Sequence, residues 1–245
     1  MQAAPVYWYD EIDSTSEEAK RRARAGETGP LWIAARQQTA GRGRLGREWS
    51  SPDGNLYTTL LFSPDNGLKF AMRIPFAAAL AIVDACRVFT PSADFQLKWP
   101  NDVRVDGAKI TGILVESGET KGVFWVALGI GVNVSVAPDI GAKRSTSLRD
   151  LGAHFWLQDG DVLEELQTTM SLRLEQARTD FEGTLRDWIS IAEGLGQTVE
   201  AGPHDARISG TFEGLAEDGG LKLRLQDGTT RIIRAGDVEL VRHVD

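Results

Sequence analysis

The stretch that decides the fold is a glycine- and arginine-rich segment at residues 38–47, Gln38-Thr39-Ala40-Gly41-Arg42-Gly43-Arg44-Leu45-Gly46-Arg47. Together with Arg36, it places four arginines within twelve positions that contain no acidic residue. Guanidinium groups bind phosphate or carboxylate oxygens in pairs, and glycines let backbone N–H groups approach an anion closely. The segment predicts an anion-binding loop, although a solvated surface loop would show the same charge pattern.

Strand patterns flank this loop on both sides, at residues 31–36 and 55–62. The spacing Gly41-x-Gly43-x-x-Gly46 also fits the dinucleotide-binding pattern, but that pattern requires a helix directly after the loop. Because a second strand follows instead, we exclude a Rossmann domain. Protein kinases share the strand–loop–strand order, but no kinase catalytic sequence follows here.

Residues 6–135 alternate between helix and strand patterns. A capping box formed by Thr15 and Glu18 predicts a helix start, and residues 74–88 form an apolar, buried helix. We expect further strands at residues 95–99, 103–105, 109–116 and 122–134. Strict alternation along 109–116 would put Lys109 on the face of Thr111 and Ile113, opposite Gly112.

One predicted strand, residues 122–134, has two very different faces. Its even-numbered positions from 124 to 134 are all apolar, which is typical of a core face. The opposite face reads Trp125, Ala127, Gly129, Gly131, Asn133. Two glycines on one face indicate that a ligand or a neighbouring element packs directly on the backbone.

The C-terminal third begins with a long helical pattern and ends with short strand patterns. Residues 161–191 keep helical spacing and predict one helix that Gly183 weakens. A Gly194-Leu195-Gly196 hinge precedes about 50 residues of short strands and turns, which indicate a small β-barrel. We therefore expect two domains, at residues 1–193 and 194–245.

Composition limits the function. The 245 residues contain 27 Lys and Arg against 35 Asp and Glu, a net charge of −8, which argues against general nucleic-acid or anionic-membrane binding. A single cysteine cannot form an internal disulfide. With no secretory signal, and no apolar run near the ~20 residues of a membrane span, we expect a cytoplasmic protein.

Five more segments complete a recognisable set of motifs: Asp13-Ser14-Thr15, Lys98-Trp99-Pro100-Asn101-Asp102, Lys109-Ile110-Thr111-Gly112-Ile113-Leu114-Val115-Glu116, Gly129-Ile130-Gly131-Val132-Asn133 and Thr146-Ser147-Leu148-Arg149-Asp150. With the arginine–glycine segment, they resemble the signature motifs of biotin–protein ligases along nearly the whole chain. The resemblance implies an α+β fold, a mixed sheet flanked by helices like that of class II aminoacyl-tRNA synthetases, followed by a small SH3-like β-barrel.

The resemblance also implies an activity in two steps. Biotin and ATP, with Mg²⁺, would give biotinyl-5′-AMP and pyrophosphate, and a lysine of a biotin carboxyl carrier domain would then take the biotinyl group. Because Asp13 already carries the first motif, we expect the form of the family without an N-terminal helix-turn-helix, and hence no DNA binding. The resemblance also allows a homodimer.

Site residues follow from the same resemblance. It assigns to biotin the residues Ser14, Thr15, Ser16, Gln38, Gly41, Arg42, Gly43, Arg44, Lys109 and Gly112. It assigns to ATP or the adenylate the residues Arg42, Arg44, Trp49, Lys98, Asn101, Lys109, Gly129, Gly131 and Asn133. Arg44, Lys109 and Asp102 are the expected catalytic residues, with Asp102 also the candidate Mg²⁺ ligand and Lys109 ranked above Lys98. Helix capping is the competing interpretation for the three hydroxyls.

Two other functions remain open at this point. A lipoate or octanoate ligase or transferase would share the fold, but its Arg-Arg…Gly-Gly-Gly pattern is missing here. A non-catalytic sensor of biotin or biotinyl-AMP would bind the ligand without releasing pyrophosphate. We also expect residues 42–47 to be mobile without ligand, because they combine glycines with mutually repelling arginines.

Overall fold

Two sheets form the frame of the molecule. The computed structural model describes residues 4–139, 141, 144–203 and 205–241, so residues 1–3 and 242–245 of the two expected domains lie outside the described residues. The helices and strands are β1 Val6–Ile12, α1 Thr15–Ala25, β2 Leu31–Gln38, β3 Leu56–Phe62, α2 Gly67–Ala71, α3 Ile74–Phe89, β4 Phe95–Lys98, β5 Asp102–Val105, β6 Ala108–Thr120, β7 Val123–Val132, α4 Asp159–Thr179, α5 Phe181–Ser190, β8 Thr198–Gly202, β9 Ile208–Leu215, β10 Leu221–Arg224, β11 Thr230–Ile233 and β12 Asp237–Leu240.

The larger sheet has seven strands in the order β1-β2-β3-β7-β6-β5-β4. Only its β1–β2 pair is parallel among the described residues, and the other pairs are antiparallel. A separate antiparallel sheet follows in the order β11-β10-β9-β8-β12. The expected mixed sheet with a small C-terminal β module is confirmed, while the boundary between residues 193 and 194 stays a prediction.

Helices cover both faces of the larger sheet. The main core lies between that sheet and α3 and α4, and α3 is buried because alanine, isoleucine and valine fill nearly all its turns. A smaller cluster on the opposite face packs α1, through Ala19 and Ala23, against Trp125 and Ala127 of β7. Full burial of one large apolar side chain contributes about 1.5–3 kcal/mol. None of the helices in the described part of the chain is long and apolar enough to cross a bilayer.

The single helix expected at residues 161–191 is wrong. The chain breaks between α4 and α5 at Asp180, whose carboxylate accepts a hydrogen bond from the backbone N–H of Gly183 at 2.8 Å. Asp180 therefore caps a new helix. Gly183 allows the cap, because a Cβ there would collide with the Asp180 carboxylate.

The expected alternation along β6 is also wrong at its start. Val103 of β5 pairs with Thr111, but Arg104 pairs with Lys109, so Ile110 is an extra residue in β6. Such a β-bulge shifts the side chains before it to the other face. Lys109 consequently lies on the face of Gly112, where its Cε is 3.4 Å from the position a Cβ would take.

Candidate active site

A cleft of about 350 Å³ opens where the start of α1, the loop between β2 and β3, and strands β6 and β7 meet. We call residues 41–49 of that connection the glycine loop. The turn before β5 and the first residue of β12 close the cleft from the far side. Both sheets therefore contribute to a single site.

Hydroxyl and amide groups form one end of the cleft. Gln38, the last residue of β2, accepts hydrogen bonds from the Thr15 backbone N–H at 2.9 Å and from its hydroxyl at 3.2 Å. Thr59 donates to the Thr15 hydroxyl at 2.9 Å, and its own Oγ1 lies 3.3 Å from that of Ser16. Because β2 ends beside the first turn of α1, the buried hydroxyls of Thr15, Ser16 and Thr59 and the partly buried amide of Gln38 form one preorganised cluster.

The capping box expected at Thr15 is wrong. The helix begins at Thr15 itself, and Ser14 before it makes no capping hydrogen bond with its side chain. Glu18, the expected partner of Thr15, accepts hydrogen bonds from Tyr9, Arg21 and Arg22 instead. The hydroxyls of Ser14, Thr15 and Ser16 thus belong to residues that line the cleft.

Glycines form the floor of the cleft, as the pattern of β7 predicts. A Cβ at Gly129 would lie 2.6 Å from the Ser16 hydroxyl, and one at Gly131 would lie 2.6 Å from the indole of Trp49. Gly112 of β6 meets the same indole, at 2.8 Å. Larger residues would therefore displace the helix start or Trp49. The buried indole N–H of Trp49 has no hydrogen-bond partner within the described part of the protein.

The glycine loop is a narrow hairpin. Gly43 donates its backbone N–H to Arg47 at 2.8 Å, and Trp49 donates to Gly41 at 3.0 Å. Its tip is a 3-10 turn over Arg44–Gly46, where Leu45 has a φ of 57°. The hairpin carries its arginines over the cleft.

Each arginine of the loop is paired, and Arg44 and Arg47 share Asp237, which lies 4.0 Å from Arg44. Arg44 donates to the Asn101 side chain at 2.6 Å and to the carbonyl of Gly236 at 3.4 Å. Arg47 pairs with Asp237 at 2.7 Å, and this hydrogen bond raises the pKa of Arg47. Arg42 pairs with Glu17 of α1 at 2.7 Å. The loop is tied to α1 on one side and to the second sheet on the other.

A lysine and an aspartate lie on the side of the cleft formed by β5 and β6. Lys109 Nζ is 2.7 Å from Asp102 Oδ1 and 5.2 Å from the centre of the Trp49 ring. Both side chains are about one-quarter exposed, at 24% and 26%. The cleft thus combines fixed cations, the carboxylates of Asp102, Glu48 and Asp237, and an aromatic surface over a glycine floor.

The chain is similar to known proteins over nearly its whole length. Residues 9–133 match the model of the biotin/lipoate A/B protein ligase family, and residues 194–241 match that of the biotin protein ligase C-terminal domain. A biotin–[acetyl-CoA-carboxylase] ligase from Paracoccus denitrificans is 39% identical over 234 residues, which cover 92% of this chain and 96% of that protein. The chain belongs to the biotin protein ligase family.

Two further relatives extend the comparison. The bifunctional ligase/repressor BirA of Bacillus spizizenii is 30% identical over 249 residues, covering 96% of this chain and 74% of that protein. The structure of the biotin protein ligase from Aquifex aeolicus in complex with biotin and ATP superposes with a TM-score of 0.81 at 31% identity, covering 98% of this chain and 99% of that one.

Most residues assigned from the biotin ligase motifs line the one cleft. Three do not. Lys98 is 3.2 Å from Glu239 of β12, in an ion pair between the two sheets. Gly41 is buried beside Gln38 and Trp49. Asn133 is buried and donates its amide to the carbonyl of Thr146 at 2.9 Å. These three residues lie outside the lining of the cleft.

Several cleft residues of this biotin ligase fold were missed by sequence reasoning. They are Arg47, Glu48, Tyr57, Thr58, Ile113, Leu114, Ile130 and Asp237. Asp237 had no local signal, since it comes from β12 at the other end of the chain. Tyr57 lies within the largely apolar strand β3, so its sequence context did not mark it. Its hydroxyl donates to the carbonyl of Pro52 at 2.7 Å, and burial raises the pKa of that hydroxyl.

Proposed function

We propose that this chain is an ATP-dependent, AMP-forming ligase that attaches biotin to a lysine of a biotin carboxyl carrier domain. In the first step a carboxylate oxygen of biotin bonds to the α-phosphorus of ATP, and the bond to the β-phosphate bridge breaks to release pyrophosphate. In the second step the lysine amine attacks the acyl carbon, the acyl–oxygen bond breaks, AMP leaves, and the amine loses its proton.

One observation carries the proposal: Arg42, Arg44 and Lys109 line the same cleft as the hydroxyl–amide cluster around Gln38. Both reactants are anions, so they repel each other unless fixed positive charge lies beside the reacting atoms. Preorganised cations provide that charge without reorganisation during the reaction, and a shared cleft holds the reactants in line. No enzyme nucleophile is required.

We assign the two ends of the cleft to different parts of the reactants, one to the biotin ring and the other to the nucleotide. Ser14, Thr15, Ser16 and Gln38 bind the ureido ring of biotin, whose N–H and C=O groups match hydroxyls and an amide. Arg42, Gly43, Arg44 and Lys109 hold the carboxylate and the α-phosphate. Trp49 and Asn101, with the floor at Gly112, Gly129 and Gly131, form the nucleotide side. Gly41, Lys98 and Asn133 support these residues from behind.

The fit to Mg²⁺ depends on one carboxylate. No cluster of three or more His, Cys, Asp or Glu side chains suited to a metal occurs among the described residues. Mg²⁺ usually binds through one or two carboxylates together with substrate phosphates, so Asp102 is sufficient as a protein ligand. Bound to ATP, the ion would neutralise part of the phosphate charge. Asp102 itself fixes the ammonium of Lys109 at 2.7 Å.

The test is incubation of the purified chain with biotin, ATP and Mg²⁺, first alone and then with a carrier domain. We expect release of pyrophosphate without carrier, followed by AMP release and addition of one biotinyl group, seen by mass spectrometry, when carrier is present. Lipoate in place of biotin should give neither product. Pyrophosphate release with lipoate alone would indicate the lipoate ligase alternative, and biotin binding without any pyrophosphate would indicate the sensor.

Other parts of the proposal concern location and partners. We propose that the chain acts in the cytoplasm. The homodimer and the absence of DNA binding stay predictions, which sedimentation and a mobility-shift assay with duplex DNA can check.

A further inference from the structure

A line of alternating charges runs from the large sheet across α1 to the glycine loop. Glu116 of β6 is 2.8 Å from Lys20, Lys20 is 2.7 Å from Glu17, and Glu17 is 2.7 Å from Arg42. The family motifs give no role to Glu17 or Lys20. The line nevertheless ends at a residue that lines the cleft.

The inner part of this line attracts the loop. Glu116, Lys20 and Glu17 together carry a net charge of −1, since two carboxylates share one ammonium. Their side chains are at most 30% exposed, and one oxygen of Glu116 is buried without a hydrogen-bond partner in the described part of the chain. Arg42 brings the group to neutrality. The hydrogen bond from Lys20 holds the pKa of Glu17 below its ordinary value and so favours the charged form that pairs with Arg42.

The geometry leaves Arg42 available to a ligand. A guanidinium group has five N–H donors, and the ion pair with Glu17 is formed through Nη1. Arg42 is 55% exposed and lines the cleft, so its other donors can reach an anion there. Glu17 lies one residue after Ser16, on the same turn that presents the hydroxyls.

We propose that Glu17 is a positioning residue that holds Arg42 beside the hydroxyl cluster, ready to bind the carboxylate of biotin. Glu17 thereby connects the two recognition elements of the site, the start of α1 and the glycine loop. Binding biotin then requires less ordering of the loop, and preorganisation of this kind increases affinity. The inference rests on the proposed function.

The experiment measures equilibrium binding of biotin and of biotin methyl ester, without ATP, by calorimetry. We expect Glu17→Gln to weaken biotin binding about fivefold, because a partly exposed ion pair is worth less than a factor of ten. Binding of the methyl ester, which lacks the carboxylate, should not change. Glu18→Gln is the matched control, since Glu18 has the same 18% exposure but pairs with Arg21 and Arg22. It should bind both compounds as the wild type does.

A second comparison tests whether Glu17 acts through Arg42. In an Arg42→Gln background, Glu17→Gln should cause no further loss of biotin affinity. Unchanged or tighter biotin binding by Glu17→Gln overturns the inference. Equal loss of biotin and methyl ester also overturns it, because that result means a structural role.

The two proposals fail in different ways. A wild-type chain that binds biotin but releases no pyrophosphate defeats the proposed function and leaves the binding test of Glu17 intact. An active wild type whose Glu17→Gln variant binds biotin normally defeats only the role of Glu17.

Discussion

Lys109 and Asp102 face each other across the hairpin of β5 and β6, with 2.7 Å between Nζ and Oδ1. Lys109 also lies over Trp49, which rests on the glycine floor. The ammonium is therefore fixed before any ligand enters the cleft. Fixed charge of this kind is what the proposed adenylation requires.

Replacing Lys109 with Met should slow adenylate formation about 100-fold, the usual effect of removing one preorganised electrostatic group, which is about 10²–10³. Single-turnover pyrophosphate release measures the rate. Lys222→Met on β10, outside the cleft, is the control and should keep the wild-type rate. A Lys109→Met variant that is folded and fully active would contradict the catalytic role assigned to Lys109.

Arg44→Ala should lower the adenylation rate by a similar factor. It removes a cation of the cleft and also frees Asn101, to which Arg44 donates at 2.6 Å. We expect biotinyl-AMP to dissociate faster as well, which a filter-retention assay with labelled adenylate can follow. Arg186→Ala, an exposed arginine on α5, is the matched control. Tight retention of the adenylate by the Arg44 variant would contradict the assignment.

Gly131→Ala should raise the KM for ATP more than the KM for biotin. The added Cβ would lie 2.6 Å from the Trp49 indole, so the indole must move away from the nucleotide side. Steady-state kinetics and tryptophan fluorescence give the two readouts. Gly160→Ala on α4, where a Cβ meets nothing within 4 Å, should leave both unchanged. Equal increases in both KM values would count against a nucleotide role for this floor.

The stability of the α1 start should depend on pH through Asp13. Hydrogen bonds from Arg21 lower the pKa of Asp13 from 3.8 to about 2. A carboxylate with a lowered folded-state pKa stabilises the protein above pH 4, and this contribution disappears as pH falls toward 2. Because both side chains are nearly half exposed, we expect at most about 1 kcal/mol.

Thermal unfolding of wild type and Asp13→Asn at several pH values checks this prediction. The variant should melt at a lower temperature at pH 7, and the difference should shrink between pH 4 and 2. Added salt should reduce the difference at pH 7. A difference that grows as the pH falls would have the wrong sign for a lowered pKa.

Sequence patterns predicted those features that depend on local composition. The apolar face of β7, its two glycines, and the strand–loop–strand order around the arginines all follow from period-two alternation and turn residues. The family motifs brought together Gln38, Lys109 and the arginines, because each lies in a short, distinctive segment. The resemblance to the family implied the fold class, and the strand and turn pattern indicated the small β-barrel.

Features that depend on tertiary contacts could not be predicted. The bulge at Ile110 arises from the way β6 pairs with β5, which the sequence of β6 does not show. Alternation alone therefore assigned Lys109 to the wrong face. The break between α4 and α5 depends on the hydrogen bond from the Gly183 backbone N–H to the Asp180 carboxylate, which forms only in the folded turn. Asp237 reaches the cleft from the second sheet, 190 residues beyond the arginine that it contacts, so no local pattern marks it.

The bulge in β6 makes one supernumerary residue decisive for the chemistry. If Ile110 were kept but paired regularly with β5, without the bulge, Lys109 would rotate to the face of Thr111, toward the hydrophobic interior, and its ammonium would leave both Asp102 and the cleft. Such a regular strand would remove a cation from the proposed reaction and also bury an unpaired charge, at a cost of several kcal/mol. Strand pairing at this position is therefore constrained twice, once by the proposed reaction and once by folding.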